Sequence, residues 1–260
     1  MVRRNRLQFG PLALALAIAS PAAAQAQAAA PGAAAATVDP AAVQALQNMG
    51  AYLKTLTNFE LRSNAKLVGG AGDTDLKVTL GLQNTYRVER PNRLFIEIRS
   101  DKRYRQYFYD GKTFAVNVPA KGAYAKVPAA STIAQLVKDI DTQYDLQLPL
   151  SELFKWAIEG APVEGLRSAH RVGHASIGGV ETDGFAFRDD LLDFQLWIAT
   201  GAKPLPMKIV VTANDNTSHV SYTSELTWDT NPKFAPSTFV FKPEAKASEV
   251  PLAQLASMDD

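Results

Sequence analysis

Between residues 59 and 241 apolar and polar side chains alternate in one short segment after another. Phe59, Leu61, Ala65 and Leu67 alternate with Glu60, Arg62, Asn64 and Lys66. Val78, Leu80, Leu82, Tyr86 and Val88 alternate with Thr79, Gln83, Thr85 and Arg87, and Val220, Tyr222, Leu226 and Trp228 with Ser221, Thr223, Glu225 and Thr227. Successive side chains of a strand point to opposite faces, so each segment predicts a strand with one apolar and one polar face. The same pattern predicts strands over residues 94–98, on both sides of Asp110-Gly111, and over 166–177, 180–188, 192–199, 205–212, 219–227 and 239–241. Connections this short demand antiparallel neighbours, because parallel pairs need a long crossover.

The period lengthens to that of a helix in three places. Asp39 can cap a helix with Pro40 at its first position, and Val43, Leu46, Met49, Leu53 and Leu56 form its apolar stripe. Residues 131–144 set Ile133, Leu136, Val137 and Ile140 against Lys138, Asp139 and Asp141, and residues 149–157 predict a further helix that ends at Gly160. The fold class is mainly β (α+β): one strongly curved antiparallel sheet with three helices over its concave face.

The N-terminus carries its own signal. Arg3, Arg4 and Arg6 precede a short apolar run and A-x-A sites ending at Ala24, Ala26 or Ala28, the order of a secretory signal peptide. The run is shorter than the ~18 residues a membrane span needs. With no cysteine in the chain, neither a lipoprotein anchor nor a disulfide is available. The expected organisation is a signal peptide over 1–26, an Ala-rich linker over 27–38, one domain over 39–250 and a C-terminal tail over 251–260. Removing the three leader arginines leaves 24 basic residues against 26 acids, a net charge of −2. Both signs are scattered, with no basic stripe, which argues against a nucleic-acid partner.

Motifs for catalysis are lacking. The sequence has no G-x-S-x-G, H-E-x-x-H or C-x-x-C, and Gly69-Gly70-Ala71-Gly72 leads into a strand without the Lys of a phosphate loop. His170 and His174 share a strand face about 13 Å apart at ~3.3 Å per residue, too far to share one metal ion. The acid pairs Asp73/Asp75, Asp139/Asp141 and Asp189/Asp190 fall in turns or on a polar helix face, as solvated charges do. The reading is a non-enzyme that needs no cofactor and no metal. Aromatic residues crowd two hairpins, Tyr104, Tyr107, Phe108, Tyr109 and Phe114 in one, Phe185, Phe187, Phe194 and Trp197 in the other. They can pack a core or wall an apolar cavity.

Two sets of residues resemble a known family. One is Tyr109-Asp110-Gly111-Lys112-Thr113, Tyr124-Ala125, Val127-Pro128-Ala129 and Leu148-Pro149-Leu150; the other is Gly184-Phe185-Ala186-Phe187-Arg188, Asp193-Phe194-Gln195-Leu196-Trp197-Ile198 and Pro204-Leu205-Pro206-Met207-Lys208. In this order they resemble a bacterial family of predicted periplasmic proteins, domain of unknown function 2092. Asn231-Pro232 and Phe239-Val240-Phe241-Lys242-Pro243 are similar to the lipoprotein-carrier-like (LolA-like) superfamily. The resemblance implies an incomplete antiparallel barrel closed by a helical lid over an apolar cavity. Asp183 and Gly184 stand where the family often has Cys and His, Phe194 where it often has Trp, and Met207 where it often has Arg. Those departures weigh against a metal or redox role.

The expected function is periplasmic binding or carrying of a lipid, acyl chain or lipidated protein by a monomer, with transient contact to membranes or envelope proteins. The alternatives are an envelope interaction module with a self-filled core and, more remotely, an envelope hydrolase. The expected cavity lining is Leu94, Ile96, Ile98, Phe108, Leu136, Ile140, Phe154, Phe185, Phe187, Phe194, Leu196, Ile198, Leu205, Met207 and Ile209. Trp197, of opposite parity to Leu196, is expected outside it. Intact-mass measurement of the exported protein tests the leader: cleavage falls between Ala24 and Ala28, and a full-length chain held in the inner membrane would refute it.

Overall fold

The computed structural model describes residues 37–70, 77–101, 103–144, 146, 148, 150–161, 163–214 and 220–256. The expected signal peptide, linker residues 27–36, the turn residues 71–73 and His219 lie outside the described residues. Helix α1 (Pro40–Thr55) is followed by β1 (Asn58–Gly70), β2 (Lys77–Glu89), β3 (Arg93–Ser100), β4 (Tyr104–Tyr109), β5 (Thr113–Val118) and β6 (Ala123–Pro128). Helices α2 (Ile133–Tyr144) and α3 (Ser151–Glu159) interrupt the strands, which resume as β7 (Ser168–Ile177), β8 (Val180–Arg188), β9 (Leu192–Ala199), β10 (Pro206–Ala213) and β11 (Ser221–Asp229). A two-residue strand β12 (Ser248–Glu249) and helix α4 (Leu252–Ala256) close the described chain.

All strands join one curved, open sheet in the order β12-β6-β5-β4-β3-β2-β1-β11-β10-β9-β8-β7. Every neighbouring pair is antiparallel except β12 with β6, which is parallel. The exception follows from chain length: a long connection after β11 brings the chain back to the far edge, where direction is no longer set by a hairpin. Register carries the apolar parity across the sheet. Val116, Tyr107, Ile96, Tyr86, Leu61 and Trp228 stand in one cross-strand row, and Ile209, Leu196 and Phe185 in another. Ile96, Tyr86, Leu61 and Leu196 are fully buried.

The helices lie against this face. The Ala41 N–H donates to Asp39 Oδ1 at 2.8 Å, capping α1 as expected. Ala42, Leu46, Met49 and Leu53 are its buried stripe, with Val43 only partly covered. Gly50 has a packing reason: a Cβ there would stand 3.2 Å from Ala161 N, so glycine lets α1 approach the segment that follows α3. Ile133, Leu136, Val137 and Ile140 are buried on α2.

Three expectations need correction. Residues 239–241 form no strand: Pro236–Phe239 is a 3-10 turn, and Phe239 and Phe241 anchor by their rings, Phe241 within 5.3 Å of Phe108 and 5.1 Å of Tyr124. Alternation there serves ring packing, and Pro236 has no N–H for a ladder. The expected tail contains α4, whose Leu252 and Leu255 are buried in the core beside β6. Linker residues 37 and 38 extend the sheet edge, with Ala169 N–H donating to Thr37 O at 3.1 Å and Asp39 N–H to Ala169 O at 2.9 Å.

Ile96→Asp or Leu196→Asp places an unpaired charge at a fully buried position and should cost roughly 3–5 kcal/mol. Gln195→Asp, exposed on the opposite parity, should change stability by less than about 0.5 kcal/mol. Chemical denaturation checks the face assignment; equal loss in all three variants would contradict it.

Candidate ligand cavity

Coverage of the sheet is uneven. Phe154 of α3 seats its ring against Phe59 and Tyr86, 6.3 and 5.6 Å between centroids, which plugs the region over β1 and β2. Trp156, further along α3, reaches Phe194 of β9 at 6.2 Å. Between that contact and the strands β9 to β11 a cavity of about 920 Å³ remains. Phe194, Ile209, Val211 and Tyr222 form its floor, and Val137, Ile140 and Leu153 its roof. Leu146, Leu148 and Leu150, in the stretch between α2 and α3, close one side, and Ala161 and Val163 line it beyond α3. Leu150 holds φ +55°, the one non-glycine residue with positive φ among the described residues, at a cost on the order of 1–2 kcal/mol.

Of the side chains expected to line a cavity, Ile140, Phe194 and Ile209 do so. Leu94, Ile96, Ile98, Leu136 and Phe154 are buried on the proper face but belong to a filled core. Phe185, Phe187, Leu196, Ile198, Leu205 and Met207 are buried with them, Phe187 stacked on Phe194 at 4.9 Å. Phe108 is a correction. Its neighbours Tyr107 and Tyr109 are buried toward the helices, so Phe108 has the opposite parity and packs outside against Phe95 and Phe241. Trp197 also has outward parity; its ring covers Gly184 across the β8–β9 pair, where a Cβ would stand 2.7 Å from Cζ3. Val211 and Tyr222 were readable as lining from their shared parity with Ile209. Leu146, Leu148 and Leu150 carried no such signal, because they fall outside regular elements.

The polar atoms of the site are of two kinds. Asp141, Glu152, Glu164 and Asp189 line the cavity, and no Lys, Arg or His is among the described lining residues. Asp189 Oδ1 accepts the N–H groups of Leu191 and Leu192 at 2.7 Å each, which holds the β8–β9 turn. On the floor, Ser63 Oγ and Ser224 Oγ share a hydrogen bond at 2.7 Å, and Asn84 Nδ2 donates to Ser63 Oγ at 3.4 Å. The Tyr222 hydroxyl is buried beside these two serines, and Asn84 Oδ1 is buried and unpaired. Burial pushes the Tyr222 hydroxyl pKa up. Among the described residues the arrangement offers apolar contact and a few polar groups.

The two histidines of β7 lie away from this cavity. His174 Nε2 is 2.7 Å from Glu181 and its Nδ1 3.2 Å from Asp183, at the solvent-exposed end of the β7–β8 hairpin on the parity that Phe185 and Phe187 share. Arg171 shares Asp183 at 2.6 Å.

The family model described as predicted periplasmic protein (DUF2092) matches residues 42–253. No curated protein matches the sequence. Among solved structures the chain is similar to the lipoprotein LppX of Mycobacterium tuberculosis, at 10% identity and a TM-score of 0.41 over 75% of this chain and 98% of that one. It is similar to LprF of Mycobacterium bovis at 13% identity and a TM-score of 0.44, over 81% and 99% of the two chains. A LolA superfamily protein of Nitrosomonas europaea aligns at 9% identity with a TM-score of 0.35, over 77% and 97%.

Hydrogen bonds from His174 to Glu181 and Asp183 raise its pKa above the ordinary 6.5. A raised folded-state pKa stabilises the hairpin fully below the unfolded value, and that contribution is lost as pH rises through the folded value. An NMR titration should place the His174 midpoint above 6.5, falling in Glu181→Gln; a midpoint at or below 6.5 would contradict the pairing.

Proposed function

The chain belongs to the DUF2092 family of predicted periplasmic proteins, and we propose that it binds and carries a hydrophobic ligand, an acyl chain or lipid, without catalysis. The observation that carries this reading is the apolar cavity of about 920 Å³ between α2, α3 and strands β9 to β11. Its size lies in the range of about 300–1,000 Å³ common to ligand pockets. Sequestration supplies the affinity: burying about 300 Å² of apolar ligand surface gains on the order of 7 kcal/mol at ~25 cal/mol per Å², before the cost of ordering the ligand. The sheet keeps its own hydrogen-bonded ladder, whereas α2 and α3 are held over it by side-chain packing and, at the start of α2, by the Ile133 N–H donating to Pro91 O at 2.9 Å. Entry and release therefore need only the lid to move. In this reading the leader over residues 1–26 delivers the chain to the periplasm and is removed there, and the mature protein carries no lipid anchor.

Native mass spectrometry of gently purified protein, followed by organic extraction, should reveal acyl-chain or lipid species. A fluorescent fatty-acid probe should bind the emptied protein. Val211→Trp, which adds bulk to a half-buried floor position, should weaken the probe at least about tenfold with little change in melting temperature. A ligand-free mass together with no probe binding would favour an interaction module of the cell envelope instead.

A further inference from the structure

The apolar floor of the cavity runs on past its roof. Tyr222, a floor residue on β11, stands opposite Leu67 of β1, and Leu67 stands opposite Leu80 of β2. Phe194, Val211, Tyr222, Leu67 and Leu80 therefore form one cross-strand row on the inner parity. Leu67 and Leu80 are only half-buried. The next row toward the strand ends holds Val220 and Val78, 38% and 42% exposed, with Gly69 between them. A Cβ on Gly69 would stand 3.9 Å from Val220 Cγ2, so the missing side chain leaves a dip between the valines. Lys66 and Lys77, on the same two strands as these residues, have the opposite parity. No charged side chain among the described residues of β1, β2 and β11 shares the inner parity.

Phe154, which plugs the sheet over β1 and β2, sits well away from this row. Its partner Tyr86 is six residues from Leu80 along β2, about 20 Å at ~3.3 Å per residue. A contiguous apolar surface left open marks an interaction site. A second copy or a protein partner needs about 800 Å² on each side for a stable interface, far more than four aliphatic side chains in two short rows present. A narrow, flexible chain emerging from the cavity meets the row directly and needs no further surface. Lengths agree with such an occupant. With strands ~4.8 Å apart, Tyr222 lies about 10 Å across the sheet from Phe194, and Leu80 about 19 Å. A lipid tail spans half of the ~30 Å hydrocarbon core of a bilayer, roughly 15 Å. The roofed floor is shorter than such a tail, and the full row takes all of it.

From this continuity we infer that the site selects long-chain acyl ligands, the tail leaving the roofed cavity at Tyr222 and lying across Leu67 and Leu80. This rests on the ligand-binding reading above and adds to it an open subsite over β1 and β2.

The test uses the full mature protein, freed of bound lipid, and the saturated acids decanoate, dodecanoate, tetradecanoate and hexadecanoate. Each is measured below its micellar concentration by displacement of a fluorescent fatty-acid probe. A fully buried methylene is worth about fourfold in affinity and a half-covered one roughly twofold, so hexadecanoate should bind at least about tenfold tighter than dodecanoate. In Leu67→Gln/Leu80→Gln that step should shrink to less than about threefold, while decanoate stays within about twofold of the wild type. Val78→Gln/Val220→Gln, altered at two exposed positions, covers the case in which the first variant misfolds, and it should weaken hexadecanoate alone by about threefold. If affinity stops rising at dodecanoate, the tail ends inside the cavity; the subsite is refuted and the cavity reading stands. If hexadecanoate keeps its advantage in both variants, the tail lies elsewhere and the inference is overturned. Equal loss for decanoate and hexadecanoate would mark a purely structural role for the row and overturn it as well. So would variants that keep the chain-length step but lower self-association in sedimentation, which would make the row a contact between two copies. If neither the probe nor any acid binds, the cavity reading fails and takes the inference with it.

Discussion

Twelve strands joined edge to edge without a closing pair leave one apolar face of the sheet with nothing of its own to pack against. In a closed barrel the sheet would bury that face by itself. Here α1, α2, α3 and α4 must supply the covering surface. Burial of Leu46 and Met49 on α1, Leu136 and Ile140 on α2, Phe154 on α3 and Leu255 on α4 is the counterpart of the rows that run through Ile96, Tyr86, Leu61 and Leu196. Every later feature follows from how completely those helices reach across the sheet.

The open architecture also creates two edges, and each is managed differently. Residues 37–39 pair with the first part of β7 around Ala169, and beyond it the strand is bulged between Arg171 and Gly173. Arg171, His174, Glu181 and Asp183 form an ion-pair cluster on that hairpin. A bulge and charges on an exposed strand discourage pairing with another chain. At the other edge β12 adds two residues alongside β6, and α4 tucks its two leucines behind them. Chain that would otherwise trail away at both ends is thereby used as covering.

Coverage fails in one region, and the cavity of about 920 Å³ lies there. Phe154 fills the space above Phe59 and Tyr86, but α3 is short and its Trp156 reaches only the near side of Phe194. Past it, the floor of Ile209, Val211 and Tyr222 and the side chains of Leu146, Leu148 and Leu150, in the stretch between α2 and α3, line the same open space. The strained backbone of Leu150 sits in that stretch, at the point where α3 begins. The polar patch of Ser63, Ser224, Asn84 and Tyr222 lies in the floor at the margin of this space, where the apolar rows are interrupted.

Which side chains share a face was legible from the sequence alone, because a strand's period of two is a local property of the backbone. Strands β8 and β9 and the outward parity of Trp197 follow from it, and the stripe of α2 follows from the equally local helix period. Applied consistently, the same rule places Phe108 outward, since Tyr107 and Tyr109 take the inner positions. The alternation at residues 239–241 misled for a related reason, since two rings docked into the outer surface repeat at the spacing of a strand. Tertiary structure alone decided which part of the inner face is filled and which is left open. Leu94, Ile96 and Ile98 share parity with Ile209, yet only Ile209 faces the cavity. The difference depends on where α2 and α3, inserted between β6 and β7, come to rest over strands far away in sequence. No local period encodes that position; it emerges when Phe154 and Trp156 find their partners on β1, β2 and β9.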